Sequence, residues 1–203
     1  MERSTDIQIV RRRPDGGIEI EAPRVASDAP MHETIARGNA IQRERARRRG
    51  VPPSRVYAAD YPVEGGWGYT REDACIIKCL TPRRSFGGLP DTSDTVRFEY
   101  IFVERRILEE IIVHRAPSTP DLHNLRWKPV QQRLKVGPGG RTYDNLAFDV
   151  SGFLLEDFEA LKEDWETHGA YENDPEGRKR HLALAASKTI HYRTEYWFDI
   201  TEA

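Results

Sequence analysis

Cysteine is scarce: Cys75 and Cys79 are the only two among 203 residues. Four positions apart and with no further partner, they supply no disulfide framework, and a reducing compartment, the cytoplasm, is the natural setting. That spacing puts both on one face of a helix or of a strand, so a buried thiol pair is expected. Long apolar runs are absent as well. No stretch approaches the roughly 18–20 uninterrupted apolar residues of a membrane span. The start, Met1 to Asp6, lacks the apolar core of a signal peptide, so neither membrane insertion nor export by the general route is expected and the protein is read as soluble.

Motifs that carry chemistry are missing too. His32, His114, His123, His168, His181 and His191 show no His-Glu-x-x-His and no zinc-type His/Cys spacing, so no metal is implied. The sequence offers no Gly-x-Ser-x-Gly elbow, no P-loop ending in Gly-Lys-Ser/Thr and no dinucleotide fingerprint. No cofactor is implied, and hydrolysis through a nucleophilic side chain has no support. Internal repeats and low-complexity tracts do not occur.

What is present is charge, in separate places. Charged residues make up 32% of the chain and apolar ones 38%, for a net charge of −2. That balance suits a folded chain with no global attraction to nucleic acid or anionic lipid. Locally it is uneven: six Arg face two Glu between Met31 and Gly50, whereas nine Asp and Glu face the single Lys162 between Leu155 and Glu176. The two segments can pair with each other or meet separate partners. Arg outnumbers Lys 25 to 6 throughout, which makes an Arg-rich helix less informative here than elsewhere.

Along the chain, Ile7–Val10 and Ile18–Glu21 flank Pro14-Asp15-Gly16-Gly17 and predict a β-hairpin. Met31 to Arg49, stopped by Gly50 and Pro52-Pro53, predicts a basic surface helix. Residues 1–54 then form an arm, and 55–203 a compact domain. Thr70 to Asp73 resembles a helix cap and favours a helix over Ala74–Leu80, with a buried strand as the alternative. The aromatic and β-branched run Val96–Val103 predicts a strand. Residues 106–115 fit either a helix or a strand. Lys135–Gly140 is a turn, Leu146–Val150 a strand, and Leu154, Phe158, Leu161 and Trp165 mark an amphipathic helix with an acidic outer face. Arg178–Ser187 reads as a helix and Ile190–Ile200 as a strand. The fold class is α+β, with a mainly antiparallel mixed sheet and helices packed on one side, plus the N-terminal hairpin and basic helix.

Three places could carry function. On the last strand His191, Arg193 and Glu195 alternate with Tyr192, Thr194 and Tyr196, about 7 Å apart along one face. An imidazole and a carboxylate for proton transfer, with a guanidinium for phosphorane charge, are sufficient for metal-free RNA cleavage. The same alternation is what any half-buried antiparallel strand shows. In the second place, Gly65, Gly66, Trp67 and Tyr69 form a loop whose amides could cradle an anion or small ligand, or whose rings could pack inward. In the third, the basic helix, with Arg43 and Arg47, could grip a partner. The sequence reading places first a non-enzymatic protein-binding or self-associating module, then a metal-independent ribonuclease with RNA as its substrate, then a ligand-binding loop.

Overall fold

The computed structural model describes residues 9–24, 31, 33, 40, 63–77, 95–112 and 122–201. The fold is α+β, and the described strands form one mixed sheet of seven. Their order along the chain is β1 (Ile9–Arg12), β2 (Ile18–Ile20), β3 (Val63–Gly65), β4 (Cys75–Ile77), helix α1 (Thr95–Ile112), β5 (Leu122–Val136), β6 (Thr142–Leu154), α2 (Leu155–Thr167), α3 (Pro175–Lys188) and β7 (Ile190–Asp199). Two compact units divide the chain: a first made of residues 1–23, 117–128 and 149–194, and a second made of 24–116, 129–148 and 195–203. The arm boundary expected at residue 54, most of the expected basic helix with Arg43 and Arg47, residues 116–121, where two prolines predict a loop, and Cys79 lie outside the described residues. Of the basic segment only Met31, Glu33 and Ala40 are described, each in helical conformation.

In the first unit the hairpin forms as the turn chemistry dictates. β1 and β2 pair antiparallel, with an irregularity between Ile9 and Arg11. Arg13 and Gly17 close the turn through N–H to O at 2.8 Å, and Gly16 takes a φ of +89°, which a side chain would resist. β2 then lies parallel to the start of β7, Ile18 opposite Ile190. Helix α2 begins with Glu156 and Asp157 in its first turn, a favourable place for negative charge. Helix α3 starts at Pro175 behind Asp174, whose carboxylate accepts from the Gly177 amide at 2.8 Å. The two helices are fastened by Asp164, which accepts from the Tyr171 hydroxyl at 2.7 Å and pairs with His181 Nδ1 at 2.6 Å.

In the second unit two expectations are overturned. Val96–Val103 is not a strand but the first half of α1, and Ala74–Leu80 contributes a strand, β4, rather than a helix. The reason for α1 is visible in what it buries: Phe98, Glu99, Phe102, Val103, Arg106, Ile107, Glu110 and Ile111, pairs repeating every four residues. That is a helical face, disguised because three of its members are charged. The undecided residues after Val103 continue the same helix to Ile112. For β4, the Thr70–Asp73 motif caps a turn instead: the Asp73 amide bonds Thr70, and the chain then enters the sheet between β3 (antiparallel) and the end of β7 (parallel).

Candidate functional site

The first unit contains a cleft of about 560 Å³ lined by Arg11, Arg12, Arg13, Pro14, Glu19, Tyr192, Arg193 and Asp149. Three elements meet there because β7 pairs with β2 and with β6: the hairpin supplies the arginine run, β7 supplies Tyr192 and Arg193, and β6 supplies Asp149. The strand period puts Arg193 outward and Tyr192 inward, so Arg193 is exposed while Tyr192 is 4% exposed and forms an apolar wall.

Four guanidiniums against two carboxylates leave the lining with a formal surplus of two positive charges. The acids are not passive. Arg11 Nε meets Glu19 at 2.9 Å, Arg193 Nε meets Asp149 at 2.9 Å, and Arg13 Nε stands 3.8 Å from Asp15 beside the cleft. Arg12 is exposed. Arginine suits this place because its planar fork bonds oxyanions in pairs and is weakly hydrated.

Just beyond the lining lies His191. Its ring packs on Gly17, where a Cβ would stand 2.5 Å from the imidazole, and Nε2 is 3.9 Å from Asp15. Burial first, then the positive charge of Arg13, holds His191 below the ordinary histidine value.

The residues singled out on the last strand therefore take different neighbours. Arg193 enters the cleft and His191 sits under the hairpin turn beside it. Glu195 belongs to the second unit, where its carboxylate accepts from Asn145 Nδ2 at 3.4 Å. Arg11, Arg12, Arg13, Glu19, Asp149 and Tyr192 were not singled out by sequence reasoning. The signal for three of them was in view, an Arg-Arg-Arg run leading into a Pro-Asp-Gly-Gly turn. Asp149 and Tyr192 become recognisable only once the strands are paired.

The glycine-rich loop lies in the second unit and turns inward. Trp67 and Gly68 are buried and Tyr69 is half-buried. Its amides are engaged: Gly66 N–H donates to the Ala74 carbonyl, Trp67 N–H to Asp73 Oδ2 and Gly68 N–H to the Asp73 carbonyl. Trp67, Tyr69, Phe102 and Tyr196 surround the Arg106 guanidinium, with ring centroids 4.9 to 5.8 Å away. Arg106 donates to Glu110 at 2.6 Å and to the Trp67 carbonyl at 3.0 Å. Glu110 also accepts from the hydroxyls of Tyr69 and Tyr196 at 2.9 and 2.6 Å. Cys75 is buried nearby, and burial pushes its thiol up to about 12, so it is not a nucleophile at neutral pH. This is a closed polar core.

Among the described residues no group of three or more His, Cys, Asp or Glu side chains could hold a metal ion, and no helix is long and apolar enough to cross a membrane. No family model matches the chain, and neither a curated protein nor a solved structure matches it.

Proposed function

We propose that the protein is a cytoplasmic binding module that holds an anionic group of its ligand or partner in the arginine cleft of the first unit. The observation that carries this reading is the convergence of Arg11, Arg12 and Arg13 with Arg193, residues far apart in sequence, around one concave space. A structural role alone does not require such a gathering, since the arginines repel one another at a cost that nearby anions offset. The resident carboxylates offset part of it and leave the surplus for a ligand.

Isothermal titration of the purified chain with inorganic phosphate and pyrophosphate tests the reading. Saturable binding lost in Arg12→Ala and Arg193→Ala supports it, and binding unaffected by both substitutions refutes it.

A second reading uses the outer face of α2. Glu156, Glu159, Glu163 and Glu166 are exposed at spacings of three and four residues, a continuous acidic stripe suited to a basic protein partner or to a second copy of the chain. Reversing Glu159 and Glu163 to Lys would abolish that association, measured by sedimentation. A metal-independent ribonuclease built on His191, Arg193 and Glu195 draws less support, because Glu195 is engaged by Asn145. Incubation with RNA in EDTA, with His191→Ala as the control, tests it.

A further inference from the structure

We infer that the ligand of the arginine cleft is a small molecule bearing a phosphate monoester, a terminal dianionic phosphoryl group, rather than a phosphodiester chain or a carboxylate. This rests on the anion-binding reading above and narrows it.

Charge comes first. The lining carries a surplus of two positive charges, which a dianion neutralises and a monoanion leaves half uncompensated. A carboxylate or a diester phosphate has the same charge as Glu19 or Asp149. Exchanging one for the other at Arg11 or Arg193 gains no Coulomb energy and forfeits a bond already formed at 2.9 Å. A phosphoryl dianion has an additional charge and three terminal oxygens, so it outcompetes the resident acids or bridges Arg12 to its neighbours without displacing them. The carboxylates thus act as a filter against weaker anions, specificity by resident repulsion.

Size and surroundings agree. A volume of about 560 Å³ lies within the roughly 300–1,000 Å³ of small-molecule sites. An extended diester backbone needs a positive track, whereas Glu19 and Asp149 line this cleft and would repel successive phosphates. Buried Tyr192 gives the cleft one apolar wall for the organic part of the ligand.

The experiment compares methyl phosphate, dimethyl phosphate, acetate and a 5′-hydroxyl oligoribonucleotide, which carries diesters only, by titration calorimetry at pH 8. Methyl phosphate is expected to bind at least about tenfold more tightly than the other three, a difference of about 1.4 kcal/mol. Asp149→Asn is expected to narrow the gap between methyl and dimethyl phosphate, because it removes one resident competitor. Arg12→Ala, on an exposed side chain that leaves folding intact, is expected to lose methyl phosphate binding. Equal affinity for all four probes, tighter binding of the oligoribonucleotide or of acetate, or a gap unchanged in Asp149→Asn, would overturn the ligand class while leaving the cleft an anion site. No binding of any probe would instead remove the anion-binding reading itself.

Discussion

Arg106 keeps its charge where no solvent reaches it. Its side chain is 0% exposed and that of Glu110, one helical turn on, is 4% exposed. Burial opposes the charge, but Glu110 beside it more than compensates, and the guanidinium holds its proton more firmly than usual. Burial and then Glu110 also push the Tyr196 hydroxyl well above its ordinary value, so the tyrosine stays a donor. Removing one partner leaves the other charge uncompensated in a dry site. Glu110→Ala is therefore expected to destabilise the second unit by about 3–5 kcal/mol, whereas the pair Arg106→Met with Glu110→Leu recovers only part of the loss, because the Tyr69 and Tyr196 hydroxyls lose their acceptor. Urea unfolding followed by tryptophan fluorescence measures both. The buried charges also explain why this region misleads a reader of sequence. Glu99, Arg106 and Glu110 on the inner face break the apolar stripe of α1, while Phe98, Phe102 and Val103 taken alone have strand composition.

At the scale of elements, local signals hold where they are self-contained. The hairpin turn needs only Pro14 to Gly17. Helix α3 needs only its first turn, with Asp174 as cap and Pro175 at the first helical position. Asp174→Ala is expected to cost about 1 kcal/mol, a drop of a few degrees in melting temperature checked by circular dichroism, and Asp174→Asn to retain most of the stability. Strand β5 shows the opposite case. Leu122–Val136 contains Pro129 and has Asn124 at a φ of +52°, both of which argue against a strand. Its pairing with β6 across the Gly137–Arg141 turn overrides them. From Pro129 onward every residue of β5 is exposed, so no apolar alternation marks it in the sequence. The Thr70–Asp73 motif has a related ambiguity: the same hydrogen bonds that start a helix also close a turn before β4, and sheet neighbours decide between them.

For the whole molecule, a net charge of −2 supplies no long-range attraction for anions, so the cleft acts at short range. Folding carries a pH dependence through His191. Its folded-state value lies below the unfolded value of about 6.5, so the unfolded chain binds more protons in the interval between them. Stability is full above about pH 6.5 and is lost as the pH falls through that interval to the lower folded-state value. His191→Asn removes this contribution, and its difference from wild type in urea midpoint is expected to change between pH 7.5 and pH 5; a constant difference would count against it. The sequence by itself determined the α+β class, the N-terminal hairpin, both C-terminal helices and the alternation of β7. Each of these depends on neighbours within a few residues or on a simple period. Only the tertiary structure decided that Val96–Ile112 is a helix, that Cys75–Ile77 is a strand, and that Arg11 to Arg13 share a cleft with Arg193 and Asp149. Those outcomes depend on burial and strand pairing between residues distant in the chain, where the environment, not the residue type, sets which side chains face inward.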